Sequence, residues 1–218
     1  TILWFRKDLR LDDNAALNAA IDAGGAVIPV YIREPDELNI GPLGGAQEWW
    51  LHHSLTALKG ALKALGSDLI LVRGKAEDVL SEIAHKTGAR SVFVNRAYER
   101  TDYDREIAVA LKDKGIAISA FHGQLLHEPD RIRTGAGKPF KVFTPFWNAM
   151  QKLGEPHEPM DTPKSISAPK QFPRSESLDG WDLLPAKPDW ASGFSEMWTP
   201  GEQGAREKLK DIIDRDLH

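Results

Sequence analysis

Residues 2–17 of the chain are Ile2-Leu3-Trp4-Phe5-Arg6-Lys7-Asp8-Leu9-Arg10-Leu11-Asp12-Asp13-Asn14-Ala15-Ala16-Leu17. An apolar run is followed by charged residues and then by apolar residues at helical spacing, which is typical of a strand, a turn and a helix. Ligands of open α/β sheets bind beyond the carboxyl ends of the strands. The charged residues of this turn are therefore candidates for ligand contact: Arg6, Lys7, Asp8 and Arg10. A solvent-exposed turn with an Asp or Asn helix cap would explain them without a ligand.

The same alternation continues through the first 121 residues. The predicted strands are residues 2–6, 27–32, 68–72, 91–95 and 116–121, and the predicted helices between them are residues 14–23, 45–65, 76–87 and 102–114. In the second of these helices the apolar spacing predicts a buried stripe of Trp50, Leu55, Leu58, Leu62 and Leu65. Glycines follow these helices where a left-handed terminal residue is expected, namely Gly24, Gly66, Gly88 and Gly115. We expect an α/β fold with a doubly wound, Rossmann-like sheet of five parallel strands. Candidate ligand positions at strand ends are Arg6, Arg33, Arg73 and Arg96.

The regular alternation stops after residue 121. A short helix is predicted at residues 143–153, beginning at the Thr144-Pro145 cap and first-turn pair. Residues 154–200 are rich in proline, serine and lysine but contain large apolar side chains that need burial, so we expect a linker that wraps the core. A terminal helix is predicted at residues 203–216. The expected divisions are residues 1–125 for the α/β domain, 126–200 for the connection and 201–218 for the start of another domain.

Composition excludes several classes of function. The net charge of −4 and pI near 6.0 do not suit a domain that binds nucleic acid through an overall basic surface. The chain has no cysteine, which excludes disulfides, cysteine zinc sites and thiol nucleophiles. No apolar run approaches the roughly 20 residues that span a membrane, so we expect a cytoplasmic protein.

Ordered motifs along the chain carry a resemblance to a known family. The Trp-Phe-Arg-x-Asp-Leu-Arg string from Trp4, followed by Asp-Asn-x-Ala-Leu from Asp13, resembles the amino terminus of the DNA photolyase and cryptochrome family. Similar segments are Trp49-Trp50-Leu51, Val94-Asn95-Arg96-Ala97-Tyr98-Glu99, Leu125-Leu126-His127-Glu128-Pro129, the run from Gly137 to Trp147, and Trp198-Thr199-Pro200-Gly201-Glu202. Together they extend the resemblance over essentially the whole chain.

The resemblance implies the antenna-binding α/β domain of a deoxyribodipyrimidine photolyase, a flavoprotein lyase that uses blue light to repair pyrimidine dimers in DNA. In such enzymes an antenna chromophore harvests light for FAD, and a helical domain holds FAD and meets damaged DNA. That helical domain would follow this chain as its partner in cis. We therefore expect no catalytic residues in the chain, and no repair by the chain alone.

The resemblance also implies an antenna site. The expected cofactor-binding residues are Arg6, Asp8, Tyr31, Ile32, Arg33, Glu34, Gln47 and Asp104, with Glu48 beside them. A flavin or deazaflavin is favoured because Asp104 matches a residue used for those antennas, whereas Thr101-Asp102 replaces the Asn-Glu pair more frequent in members that bind methenyltetrahydrofolate. Acidic residues at a helix start also stabilise its dipole without any ligand. His52 and His53 are adjacent and point in different directions, so no metal site is expected.

Three alternatives remain open on the sequence. A cryptochrome would share these motifs but act as a blue-light receptor. A stand-alone nucleotide-binding or electron-transfer module would share the fold, because a fold does not fix a function. An interaction domain without a ligand would have no pocket at the strand ends.

Overall fold

The computed structural model describes residues 1–36 and 41–216. The strands in this part of the chain are β1 Ile2–Phe5, β2 Ile28–Arg33, β3 Ile70–Arg73, β4 Ser91–Asn95 and β5 Ala117–Phe121. The α-helices are α1 Ala15–Asp22, α2 Gly45–Ala64, α3 Ala76–Thr87, α4 Thr101–Asp113, α5 Phe143–Gln151, α6 Phe194–Met197 and α7 Glu202–Asp216.

The five strands form one parallel sheet in the order β3-β2-β1-β4-β5. The predicted doubly wound sheet is therefore confirmed. From β1 the chain proceeds first to β2 and β3 on one side and then to β4 and β5 on the other. Strand order thus reverses between β1 and β4, and a reversal of this kind opens a crevice at the carboxyl edge of the sheet.

Successive side chains of β1 point to opposite faces of the sheet and so divide the core into two layers. Ile2 and Trp4 face α3 and α4, where Leu80 and Ile107 are fully buried. Leu3 and Phe5 face the other layer, whose members include Leu17 of α1 and Leu55, Leu58 and Leu62 of α2. Helices cover both faces, as the nearly continuous apolar strands require.

Residues 154–200 are mostly irregular and wrap one side of the sheet. Ile166, Trp181 and Leu183 are buried in the layer that contains α1 and α2. Beside the outer edge of β3, the main-chain N–H of Glu176 donates to the Leu71 oxygen at 2.7 Å, and the Leu71 N–H donates to Ser175 Oγ at 3.0 Å. The segment therefore wraps the core as expected, while the division into separate domains stays a prediction.

Two local predictions were wrong. The sequence pattern assigns Trp50 to the buried stripe of α2, but Trp50 is 42% exposed and Trp49 is only 5% exposed. Trp49 is covered by the returning Phe194 ring, whose centroid lies 5.2 Å away, and helical spacing cannot anticipate a contact from so distant a residue. Helix α5 begins at Phe143 after Val142, so Thr144 lies inside the first turn and does not cap it.

Candidate functional site

A cavity of about 500 Å³ opens at the carboxyl edge of the sheet. Its wall is built by the turn after β1, the end of β2, the first turns of α2 and the start of α4. Seven of the eight predicted site residues line it: Arg6, Tyr31, Ile32, Arg33, Glu34, Gln47 and Asp104. Further lining residues include Trp4, Lys7, Leu9, Trp50, Leu51, Ser54, Arg100 and Tyr103. The cavity size suits a small-molecule cofactor.

Arg6 is held from several sides at the switch point. Its Nη1 donates to Asp104 Oδ1 at 2.6 Å, and its Nη2 donates to the main-chain oxygen of Asn95 at 2.5 Å. The guanidinium carbon lies 4.8 Å from the centroid of the Trp4 ring, within range of a cation–π interaction. Two predicted residues, one after β1 and one on α4, are thus joined by an ion pair across the sheet edge.

Glu34 organises the opposite wall. It accepts hydrogen bonds from the Ala76 main-chain N–H at 3.2 Å, from Arg100 Nη1 at 3.4 Å and from the Tyr103 hydroxyl. Burial, followed by the bond to Glu34, raises the pKa of Tyr103 above its ordinary value. Tyr103 therefore stays protonated at neutral pH. Arg100 stacks on its ring at 3.8 Å, so this wall presents a fixed aromatic and guanidinium surface.

Arg33 connects the cavity to the wrapping segment. Its Nη1 donates to the main-chain oxygen of Trp181 at 2.8 Å, and its Nη2 donates to Glu48 Oε1 at 3.1 Å. Burial raises the pKa of the neighbouring Tyr31 to about 12 against the opposing effect of Arg33. Glu48 itself does not belong to the cavity wall that the structure describes. It orients Arg33.

Helix α2 contributes Gln47 and Trp50 to the wall. The Gln47 Oε1 accepts the Gly44 main-chain N–H at 3.0 Å, which caps the helix and fixes the side chain beside the cavity. The Trp50 ring lies 5.8 Å from the Trp198 ring, edge to face, so a residue near the carboxyl terminus supports the wall.

Asp8 is the predicted site residue that the structure does not bring to the cavity. It is buried, with Oδ1 accepting the Arg6 main-chain N–H at 2.9 Å and Oδ2 accepting Asn95 Nδ2 at 2.7 Å. The same Asn95 amide group donates to Asn14 Oδ1 at 2.9 Å. Asp8 therefore stabilises the junction of β1, α1 and β4 from inside.

The remaining strand-end arginines also have other partners. Arg10 donates to the main-chain oxygens of Asp12, Asp13 and Gly123. Arg73 pairs with Glu176 at 2.7 Å, and Arg96 pairs with Glu128 at 3.2 Å. These three side chains support loops outside the cavity.

Neither a metal centre nor a membrane-spanning helix is found in the part of the chain that the structure describes. Among residues 1–36 and 41–216, no group of three or more His, Asp or Glu side chains is arranged to hold a metal ion. No helix in the same part of the chain is long and apolar enough to cross a membrane.

The cavity combines aromatic and aliphatic walls with mostly paired charges, which is suited to holding and orienting a flat, polar-edged molecule.

Comparison with known proteins identifies the family. The model of the DNA photolyase family matches residues 1–164 of the 218. The chain belongs to the DNA photolyase family.

Individual relatives of this photolyase-family chain agree with that assignment. A deoxyribodipyrimidine photo-lyase of Agrobacterium fabrum is 55% identical over 98% of the chain and 44% of its own length. Cryptochrome-2 of Arabidopsis thaliana is 32% identical over 100% of the chain and 36% of its own length. The crystal structure of a bacterial class III photolyase from Agrobacterium tumefaciens superposes with a TM-score of 0.91 at 55% identity, covering 98% of the chain and 44% of that protein. The photolyase-family chain thus spans less than half of these relatives.

Sequence reasoning missed several wall residues of this photolyase-family cavity. The apolar run of residues 2–6 predicts Trp4 as a buried strand residue and not as part of a site. Arg100 and Tyr103 lie beside Asp104 at the start of α4. The signal for Arg100 and Tyr103 was available, because residues 96–104 follow β4 at the switch point. The sequence contains no such signal for Trp4, because an aromatic residue on a strand is ordinarily part of the hydrophobic core.

Proposed function

We propose that this chain is the antenna-binding part of a deoxyribodipyrimidine photolyase and that the cavity at the β1/β4 switch point holds the antenna chromophore. The observation that carries the proposal is the convergence of seven predicted residues on one cavity. It is supported by the 55% identity to a deoxyribodipyrimidine photo-lyase over nearly the whole chain. The cryptochromes among the relatives are 31–38% identical and two further photolyases are 30–32% identical, so it is the 55% identity to one photolyase that favours repair over signalling.

The proposed chromophore is a flavin or deazaflavin, with methenyltetrahydrofolate as the alternative. An archaeal photolyase from Sulfolobus tokodaii, 25% identical with a TM-score of 0.70, contains two FAD molecules and is described as implying a novel light-harvesting cofactor. In this chain Arg6 and Asp104 hold each other in place, and the Arg100–Tyr103 stack forms a flat wall. Such a preorganised site orients an aromatic ring at little entropic cost.

The antenna, when bound, supplies absorption of blue light and transfer of excitation to FAD. The chain's own residues bind it, fix its plane and exclude water. FAD, damaged DNA and the electron transfer that splits the dimer belong to the part of the full-length enzyme that corresponds to the remaining length of the relatives. A cytoplasmic location accompanies this proposal.

Titration of the purified chain tests the antenna site. Flavin mononucleotide, a deazaflavin and methenyltetrahydrofolate are added separately, and chromophore fluorescence is followed. We expect saturable binding of a flavin or deazaflavin that weakens in Arg6→Gln, which loses the Asp104 ion pair. Saturable binding of folate alone would overturn the choice of chromophore and keep the site, while non-saturable signals from all three would reject the site.

An assay of dimer repair tests whether this chain binds the antenna while the rest of the full-length enzyme carries out the repair. Under blue light the chain alone leaves thymine dimers intact, whereas the full-length enzyme loaded with reduced FAD repairs them. Photorepair by the isolated chain would refute the proposed division. A full-length enzyme that binds FAD but repairs no dimer would favour the cryptochrome alternative.

A further inference from the structure

The three arginines that line the cavity are each paired with an acid of the protein. Arg6 pairs with Asp104 at 2.6 Å, Arg33 pairs with Glu48 at 3.1 Å, and Arg100 pairs with Glu34 at 3.4 Å. None of these six side chains is more than 28% exposed, so the pairs are largely shielded from water. Opening such a pair leaves a partly buried charge without a partner, which is costly. The arginines are therefore committed to the protein's own acids.

The more exposed charges at the cavity are acidic on balance. Lys7 pairs with Glu99 at 3.1 Å, and their side chains are 69% and 43% exposed. The hydrogen bond from Lys7 holds the pKa of Glu99 below its ordinary value, so Glu99 is ionised at neutral pH. Asp36 also lines the cavity, is exposed, and has no cationic partner in the part of the chain that the structure describes. With Glu48 included, five acids thus face four cations at the cavity.

The positive helix ends at the cavity are met by acids of the protein as well. Helix amino termini attract anions, because their first main-chain N–H groups point outward and the helix dipole is positive there. The Ala76 N–H at the start of α3 already donates to Glu34. Helices α2 and α4 have Glu48 and Asp104 in their first turns. An anionic ligand would therefore compete with carboxylates at these three helix ends.

We propose that the cavity takes a chromophore without a phosphate group, namely riboflavin or an unphosphorylated deazaflavin, and discriminates against flavin mononucleotide and FAD. This inference rests on the proposed antenna function and narrows its class of ligand. A phosphate monoester has a charge of about −1.5 to −2 at neutral pH. Inside the cavity it would lose its water in exchange for cations that are already paired, and at the exposed rim it would meet Glu99 and Asp36.

Two pairs of chromophores test the inference on the purified chain. Riboflavin and flavin mononucleotide differ only in the phosphate, and a deazaflavin with and without its phosphate ester forms the second pair. Binding is followed by fluorescence at physiological ionic strength. In the pair that the chain binds, we expect the phosphate-free member to bind about tenfold more tightly. Added salt should narrow this difference, because screening weakens repulsion between like charges.

Two variants locate the discrimination at the rim. Glu99→Gln removes one negative charge and frees Lys7, and Asp36→Asn removes another negative charge. In each variant we expect the preference for the phosphate-free member to fall by about threefold or more. Asp113→Asn is the matched control, because it removes the same charge from the exposed end of α4, about 18 Å along the helix from its start at the cavity. The control should keep the wild-type preference, since this distance exceeds the screening length of about 8 Å.

The outcomes separate this inference from the antenna proposal. If a phosphate-bearing member binds as tightly as its phosphate-free partner, or if added salt weakens its binding selectively, the inference is overturned and the antenna site stands. Saturable binding of methenyltetrahydrofolate alone would also overturn the inference, because the site would then accept the two carboxylates of the glutamate tail. An unchanged preference in both rim variants would refute the role of Glu99 and Asp36. If the chain binds none of these chromophores, the antenna site fails and the inference fails with it.

Discussion

The carboxylate of Asp8 and the side-chain amides of Asn14 and Asn95 form a buried junction of three segments. Asn95 lies at the end of β4 and also accepts the Ala16 main-chain N–H at 3.0 Å, while Asn14 accepts the Leu17 N–H at 3.0 Å as the cap of α1. Networks of this kind are stable only when every member is paired. The junction fixes the turn from which Arg6 enters the cavity.

Removing the centre of this junction should be costly. Asn95→Ala removes the donor to Asp8 Oδ2 and the acceptor of the Ala16 N–H, so we expect a loss of about 2–4 kcal/mol in the free energy of unfolding. Urea denaturation measures it. Asn18→Ala is the control, because the Asn18 side chain donates to the Asn14 main-chain oxygen at 3.1 Å outside the junction and alanine favours the helix. Its effect should stay within about 0.5 kcal/mol. Equal losses in both variants would contradict the special role of the junction.

Glu176 gives the protein a defined sensitivity to acid. Burial opposes its ionisation, but bonds from the Arg73 main chain, the Trp181 indole and the Arg73 guanidinium outweigh that effect and hold the pKa of Glu176 below its ordinary 4.5. A lowered folded-state pKa stabilises the protein above the unfolded pKa, and this contribution disappears as pH falls through the folded value.

The matching variant is Glu176→Gln. At pH 7 we expect it to be less stable than the wild-type protein by about 1 kcal/mol, because the charge-assisted bonds are lost. The difference should be constant above about pH 5 and should shrink below about pH 4.5. Unfolding by urea across this pH range measures it, with Glu106→Gln on the exposed face of α4 as the control. A stability difference that grows on acidification would refute the assignment.

The same residues show what sequence could predict. The position of Asp8 in a turn after a strand was predictable, but its inward direction depends on Asn95, 87 residues away, and no local spacing contains that partner. Arg6 and Asp104 were correctly expected at one sheet edge, because β1 and β4 end side by side. Which of the charged turn residues faces the cavity was settled by tertiary packing alone.

At the scale of elements, helix α2 connects the cavity to the carboxyl-terminal segment. Its first turn passes so close to Trp190 that a Cβ at Gly45 would lie 2.8 Å from Cζ2 of that ring. The adjacent residues Trp49 and Trp50 of the same helix pack against Phe194 and Trp198, respectively. The boundaries of α2 were predictable from its apolar spacing, whereas the direction of its two tryptophans depends on this later segment.

The close approach at Gly45 can be tested within one helix. Gly45→Ala should displace the Trp190 ring, reduce stability by about 1 kcal/mol and increase amide exchange in residues 187–197. Gly60→Ala is the matched control, since a Cβ added at Gly60 would meet no atom within 4 Å and alanine stabilises a helix interior by roughly 0.5–1 kcal/mol. If Gly45→Ala stabilises the protein as Gly60→Ala does, the contact with Trp190 has no energetic role.

At the scale of the whole molecule, stability is distributed unevenly between the sheet and α7. Glu202 accepts the Leu11 main-chain N–H at 2.8 Å, and Arg206 pairs with Asp12, so these anchors lie in the first two turns of the helix. Farther along, Leu209, Ile212 and Ile213 are exposed. An apolar helix face without cover adds little to folding.

Hydrogen exchange measures this difference. In a dilute monomer we expect amides from residue 208 onward to exchange much faster than those of β2 and β4, whose strands are buried in the sheet. Glu202→Gln should accelerate exchange throughout α7, because it weakens the anchor to the β1–α1 turn. Protection of the whole of α7 equal to that of β4 would show that the helix is held by more than its first two turns.

The short contact between residues 175–176 and β3 has a consequence for solubility. Leu71 at the outer edge of the sheet has both its main-chain N–H and its oxygen occupied by the wrapping segment, and the Arg73 N–H is occupied by the Glu176 side chain. An uncovered edge strand offers a template on which another molecule can add a strand. A chain cut after residue 164 would lose this cover together with Ile166, Trp181 and Leu183 from the core. Such a piece would retain every strand of the sheet and would nevertheless aggregate edge to edge.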